Sequence, residues 1–198
     1  MKSIKSAILL QQLMESSISL LEDISRLEEY NGTGQLEMND GAGRWNILQV
    51  LEHLNSYYAY YLPIIEMKTS DSNATSRIDF TPGWLGAYFT NMMQPMDGTI
   101  KNKMKAFSNH IPPPRLQASK VIEEFLQHQR KQIYLLELAK KRDINSIRIP
   151  ISLTPFIKLK LGDTFNFIIA HNNRHLIQIY NLLAFNKIRF QHQTIPVK

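Results

Sequence analysis

Apolar residues recur with the spacing of an α-helix in four long stretches of the chain. The stretches cover about residues 3–29, 46–67, 118–141 and 164–185. In each of them apolar side chains return every three or four positions, which is typical of helices that bury one face in a core. The pattern therefore predicts four long helices.

Residues at the ends of these stretches carry helix-boundary signals. Asn46 is a favourable N-cap for the second helix, Gln49 stands at the capping-box position, and Trp45 is placed to pack against the start of the helix. Asp163 is expected to cap the fourth helix. Pro63 is expected to kink or end the second helix near its last turns, because proline removes a helical N–H.

The intervening segments predict loops and one short helix. Residues 31–43 are rich in Gly and Asn, 69–81 are polar, and 82–93 favour a short helix. Residues 94–114 end in three prolines and are expected to form a long irregular crossing. An irregular segment of this length is unusual in a compact domain and indicates a loop that covers part of the molecule. Residues 143–162 are extended or irregular, and we expect no strand ladder.

These elements predict an all-α fold, a four-helix bundle with a long crossover between helices two and three. A chain of 198 residues fits one large domain better than two small ones. We expect a single domain at residues 1–186 and a loose C-terminal tail at residues 187–198.

Composition restricts the chemistry and the location. The chain has no cysteine, which excludes disulfides, thiolate metal sites and a cysteine nucleophile, and fits a reducing cytosol. The N-terminal stretch lacks a small-residue cleavage site, and no stretch approaches the roughly 20 apolar residues of a membrane span. We therefore expect a cytoplasmic protein with no membrane partner.

Charge is divided unevenly along the chain. Residues 1–100 hold 6 Lys/Arg against 12 Asp/Glu, and residues 101–198 hold 17 against 5. A basic half can indicate nucleic-acid binding, but here the basic residues are scattered, without a dense run or interleaved aromatics. We expect acidic and basic halves that lie against each other in one fold, and no nucleic-acid partner.

Three of the six histidines are candidates for a shared site. His171 and His175 are four positions apart and therefore point the same way on a helix. The pair alone favours a surface pair or capped polar groups in the core over a metal site. His53 borders the apolar face of the second helix, so three imidazoles can converge if the second and fourth helices are neighbours. Such a set suits Zn²⁺, Ni²⁺ or Fe²⁺.

The other three histidines are given no role. His128 lies in a polar patch and is expected to be solvated. His110 precedes the prolines, where loop exposure is the favoured interpretation over contact with a pocket. His192 lies in the predicted tail.

Two short motifs resemble those of a known family. The pattern W-x7-H-L at residues 45–54, together with AHNNRHLIQ at 170–178, resembles the DinB-like superfamily, which includes bacillithiol and mycothiol S-transferases. The resemblance implies a four-helix bundle, often dimeric, with a divalent metal held by His53, His171 and His175. Gln178 would support a ligand or line the pocket. Asn172, where an acidic residue is frequent, and Leu176-Ile177, in place of Arg-Gly, mark a branch whose substrates the resemblance does not identify.

The resemblance implies thiol chemistry at such a site. A divalent ion held by neutral ligands lowers the pKa of a bound water or thiol, which suits either transfer of an external low-molecular-weight thiol to a small-molecule substrate or hydrolysis. The alternative is a non-catalytic protein in which the metal staples the helices. Glu52 is turned away from His53 and is not assigned as the general base, so the catalytic residues are unknown.

Aromatic and sulfur-containing side chains are candidate pocket residues. Tyr57 and Tyr60, one and two turns beyond His53, are placed to line a cofactor or substrate pocket, with ordinary core packing as the alternative. Trp84, Tyr88 and the methionines at 92, 93 and 96 are candidates for an apolar wall.

Overall fold

Helices dominate the part of the chain that the structure describes. This computed structural model describes residues 2–30, 33–41, 43–96, 98–100 and 104–187, with side chains described throughout except at 28–30 and 33. The elements are α1 (Ser6–Tyr30), α2 (Thr33–Leu36), α3 (Ile47–Ser70), α4 (Trp84–Met93), a 3₁₀ helix (Ser108–His110), α5 (Ala118–Ala139), α6 (Leu161–Phe185), β1 (Ile4–Lys5), β2 (Asp79–Phe80), β3 (Arg148–Ile151) and β4 (Thr154–Lys160).

The four long helices α1, α3, α5 and α6 share one core. Helix α5 packs against α1 and α3, and α6 also packs against both of them. Their inner faces bury large apolar side chains such as Leu10, Ile24, Leu51, Phe125 and Phe165. The predicted all-α fold is confirmed to the extent that the described residues are mostly helical, and the short helix expected at 82–93 is α4. The expected tail lies outside the described residues from 188 onward. In the described ranges, no helix is both long and apolar enough to cross a membrane.

The start of α3 has the predicted capping box. The Gln49 N–H donates to Asn46 Oδ1 over 2.9 Å, and the Asn46 N–H donates to Gln49 Oε1 over 3.1 Å. Pro63 was expected to kink or end the helix, and the second alternative is wrong, because α3 continues through the proline to Ser70. Ala59, whose carbonyl the proline leaves without a helical donor, is exposed like Pro63 itself, so water can hydrate that carbonyl.

Residues 148–160 form a β-hairpin, so the expectation of no strand ladder is wrong. Strands β3 and β4 pair antiparallel, with Ile149 opposite Leu159 and Pro150 opposite Lys158. Ile149, Ile151 and Leu159 are buried, and most of β4 is exposed. Pro150 in β3 and Pro155 in β4 obscured the strand pattern in the sequence. They are tolerated because each strand of a two-stranded sheet is an edge strand with one unpaired side.

Asp163 caps a neighbouring helix instead of its own, which corrects the prediction made for it. Helix α6 begins at Leu161 after Lys160, and its start has no side-chain cap. The Asp163 carboxylate instead accepts the Gly83 N–H at the start of α4, over 2.9 Å. A Cβ on Gly86 would lie 2.3 Å from Asp163 Cγ, so a glycine is needed where α4 approaches α6.

Candidate metal centre

Helices α3 and α6 bring three histidines into one buried cluster. His53 lies on α3, and His171 and His175 lie one turn apart on α6; the three are 3%, 4% and 8% exposed. The Nε2 atom of His171 is 3.3 Å from Nε2 of His53 and 3.1 Å from Nε2 of His175. These three candidate ligands therefore meet through the same ring atom, and one ligand atom of each lies within 4.8 Å of the others.

Hydrogen bonds fix the tautomer of two of the rings. The Nδ1–H of His53 donates to the main-chain carbonyl of His110 over 2.7 Å, and the Nδ1–H of His175 donates to Gln178 Oε1 over 2.9 Å. A neutral imidazole with its proton on Nδ1 has a free lone pair on Nε2. Both rings therefore present Nε2 lone pairs to the centre of the cluster.

The cluster disfavours protonation. Burial lowers the pKa of His53 to about 4, although its bond to the His110 carbonyl acts in the opposite direction. Burial, reinforced by His53, lowers the pKa of His175 to about 3. Burial and then the neighbouring His175 and His53 hold the pKa of His171 well below its usual value. All three imidazoles are neutral at pH 7, the form in which histidine binds metals.

The donor set fits a divalent transition metal. Two nitrogens bound at about 2.0–2.1 Å in a tetrahedron stand roughly 3.3 Å apart, close to the separations of 3.3 and 3.1 Å seen here. A carbonyl or amide oxygen on the remote ring nitrogen is also the usual support for a ligating histidine. Within the described residues the cluster includes no carboxylate. His53, His171 and His175 are thus the residues that could hold such an ion.

Aromatic rings surround the cluster. Trp45 lies 4.9 Å from the His53 ring, centroid to centroid, and Tyr57 lies 4.5 Å from that of His171. Phe167 stacks parallel to His171, with ring centroids 6.0 Å apart. Burial raises the pKa of Tyr57 to about 12, so its phenol stays protonated at neutral pH and can donate a hydrogen bond.

The structure brings together some of the predicted pocket residues and separates others. Tyr57 and Gln178 contact the cluster, whereas the Tyr60 hydroxyl donates to the Ile151 carbonyl of β3 over 3.0 Å. Trp84 and Tyr88 are 75% and 59% exposed, so they do not form the predicted apolar wall. The wall next to His171 comes instead from Phe167, which the sequence analysis did not single out.

Two of the remaining histidines also differ from expectation. His110 is 4% exposed and stacks on Tyr57 with ring centroids 3.8 Å apart, so the prediction of an exposed loop histidine is wrong. His128 is half-buried against Tyr58, and burial lowers its pKa, so the prediction of full solvation is also wrong. His192 lies outside the described residues.

A separate cavity of about 470 Å³ lies away from the histidines. Its lining comes from residues 5–8 and 10, 76–78, 139–140 and 142, and includes the four cationic side chains Lys5, Arg77, Lys140 and Arg142. Lys5 pairs with Asp79 and Arg77 pairs with Asp143, each over 2.9 Å. These two ion pairs join the acidic first half of the chain to itself and to the basic second half, so Lys5 and Arg77 are already paired within the fold.

The fold and the site define a mostly helical protein in which two long helices enclose a buried tri-histidine cluster. A family model described as the DinB superfamily matches residues 20–179. Because the match covers most of the chain, the protein belongs to the DinB superfamily, as the two motifs predicted. Comparisons with curated proteins and with solved structures gave no match.

Proposed function

We propose that this DinB-superfamily protein binds one divalent metal ion through His53, His171 and His175 and uses it in catalysis. The observation that carries the proposal is the convergence of three Nε2 atoms, two of them on rings whose Nδ1 protons are already committed. Zn²⁺ and Ni²⁺ suit three imidazoles best, and Fe²⁺ is also compatible.

The proposed reaction is transfer of an external low-molecular-weight thiol to a small electrophilic substrate, or a hydrolysis that uses the same ligands. When bound, the ion supplies a positive charge that lowers the pKa of a thiol or water at its open position. The ligands are neutral at pH 7, so they leave that charge uncompensated. The family resemblance supports thiol transfer over hydrolysis.

The chain's own residues would orient and shield the reactants. Tyr57 lies against His171 with a protonated phenol, which suits it to donate a hydrogen bond to an anionic group beside the ligands. Trp45 and Phe167 exclude water from the imidazoles and so strengthen electrostatic interactions there. Gln178 orients His175, and Tyr60 would line the outer pocket.

A second candidate is a non-catalytic metal staple between α3 and α6. The burial of all three imidazoles favours it, because structural metal sites are closed and catalytic sites keep an open position. A staple should raise stability on metal binding without admitting a thiol. The two candidates therefore differ in whether an added thiol reaches the metal.

Metal analysis of purified protein tests the site itself. Wild type, His171→Ala and the control His128→Ala are loaded with Zn²⁺, dialysed against a mild chelator and analysed for metal. We expect about one ion per chain in wild type and His128→Ala, and none in His171→Ala. Retention of a full equivalent by His171→Ala would refute the ligand assignment.

Cobalt substitution separates the catalytic from the structural candidate. Co²⁺-loaded protein is titrated with a small thiol while its visible spectrum is recorded, with His128→Ala as control. New thiolate-to-metal absorption supports the transferase. An unchanged spectrum at saturating thiol, combined with a large metal-induced gain in thermal stability, supports the staple.

The remaining proposals concern organisation. We propose that the four long helices form the bundle with the crossover between α3 and α5, that residues 1–186 act as one domain, and that the chain is a cytoplasmic homodimer. Sedimentation of the purified protein tests the dimer.

A further inference from the structure

The 3₁₀ helix Ser108–His110 is attached to α3 beside the candidate ligand His53. It belongs to the long crossing between α4 and α5, and its last residue is almost fully buried. The main-chain carbonyl of His110 accepts the His53 Nδ1–H over 2.7 Å. A residue far from His53 in sequence thus sets which nitrogen of that ring carries the proton.

A closed ring of hydrogen bonds holds that carbonyl in place. The Ser56 hydroxyl donates to the main-chain carbonyl of His53 over 2.6 Å. Because that hydroxyl has only one proton, it accepts from the His110 Nδ1–H, 2.8 Å away. His53, Ser56 and His110 therefore form a cycle in which each residue contacts the other two.

Two further contacts fix the orientation of the His110 ring. Its face stacks on Tyr57 at a centroid distance of 3.8 Å and an angle of 21°. Its Nε2, which has a lone pair when Nδ1 is protonated, lies 3.3 Å from the side-chain amide nitrogen Nδ2 of Asn109. The turn itself is closed by the His110 N–H, which donates to the Phe107 carbonyl over 2.9 Å. The carbonyl is therefore oriented from both the side chain and the main chain.

We propose that Ser56 and the side chain of His110 are positioning residues that dock this turn on α3, so that the His110 carbonyl selects the His53 tautomer with Nε2 free for metal. Neither side chain contacts the centre of the cluster, so both act through His53. The inference rests on the proposed function for the identity of the ligand, but tautomer selection is a property of the metal-free protein as well. Loss of such supporting partners typically weakens metal binding ten- to a hundredfold.

The test combines two readouts on the full-length chain. The tautomer of His53 is read from imidazole ¹⁵N chemical shifts of the metal-free protein, and the Kd for Zn²⁺ is measured by competition with a chelator. The variants are Ser56→Ala, His110→Ala and His110→Asn, in which the asparagine amide replaces the Nδ1–H donor. His128→Ala is the control, because His128 also faces α3 and lies 3.3 Å from the Asn55 side chain.

We expect the Nδ1–H form alone in wild type, His110→Asn and the control, and a mixture of both tautomers in Ser56→Ala and His110→Ala. The Kd for Zn²⁺ should rise about ten- to a hundredfold in those two variants and be restored by His110→Asn. Unchanged tautomer and Kd in Ser56→Ala would overturn the inference. Failure of wild type to bind Zn²⁺ would instead refute the proposed function, with the tautomer readout still testing the positioning role.

Discussion

Acidification should destabilise the metal-free protein through its three buried imidazoles. Burial lowers the pKa of His53 to about 4 and that of His175 to about 3, from an ordinary 6.5, and the pKa of His171 is also well below 6.5. The folded state therefore binds fewer protons than the unfolded state at any pH between these values. The unfolding free energy therefore has its full value above about pH 6.5, the histidine pKa of the unfolded state, and falls as the pH drops from there toward about 4.

The magnitude follows from proton linkage. Each imidazole that is neutral when folded and charged when unfolded contributes up to about 1.4 kcal/mol per pH unit. Between pH 7 and pH 5 that amounts to about 2 kcal/mol each for His53 and His175, or roughly 4 kcal/mol for the two, and His171 adds to the loss in the same direction. Domains of this size are stable by about 5–15 kcal/mol, so the metal-free protein should lose a large share of its unfolding free energy by pH 5.

Urea unfolding with a chelator, at several values between pH 7 and pH 5, measures this loss. In His175→Gln the slope of the unfolding free energy against pH should fall by about 1.4 kcal/mol per unit. Ile65→Val, a buried change that removes no titrating group, should cost about 1 kcal/mol equally at every pH. If the His175→Gln data run parallel to wild type, the imidazole is already charged in the folded state and the reasoning is wrong.

Three further outcomes are expected. Zn²⁺ at a hundred times its Kd should raise the unfolding free energy by about 2.7 kcal/mol in wild type and leave His53→Ala unchanged; equal shifts would exclude His53 as a ligand. Burial raises the pKa of Asp163 despite the hydrogen bond from the Gly83 N–H, so the unfolding free energy of the protein falls as the pH rises through that raised pKa. At pH 7 the unfolding free energy of Asp163→Asn should therefore match or exceed that of wild type, and that of Asp163→Ala should be about 1–2 kcal/mol lower. Gly86→Ala should cost about 1–3 kcal/mol in thermal unfolding, whereas Gly34→Ala, with open space at its Cβ, should cost nothing.

Local patterns predicted the helices and the three candidate ligands because both depend on short-range periodicity. His171 and His175 share a face through their spacing alone, and His53 lies on the inner face of a helix whose capping box at Asn46 and Gln49 is readable from sequence. The convergence of α3 and α6 needed only that the two helices be neighbours.

Features that depend on contacts between distant segments were not predictable in this way. Asp163 was expected to cap α6, but α6 begins two residues earlier, and the carboxylate accepts the N–H of Gly83 just before α4. His110 lies in an irregular crossing with no periodicity, so its burial against Tyr57 left no local signal. The β3–β4 hairpin contains Pro150 and Pro155, and proline is ordinarily disfavoured within strands. The alternation of Ile149 and Ile151, both buried in the structure, was too short a pattern to indicate a strand against that signal.

The separation of His53 and His171 by 118 positions also has a consequence during synthesis. A growing chain adds about 5–20 residues per second, so His53 is made roughly 6–24 s before its partners on α6. During that interval the nascent chain offers a metal one imidazole of the cluster, which cannot compete with cellular ligands for tight binding. The three-nitrogen cluster exists only after α6 has docked against α3. Any metal that uses all three imidazoles would therefore bind after the two helices have come together, and could not guide the folding steps that precede their contact.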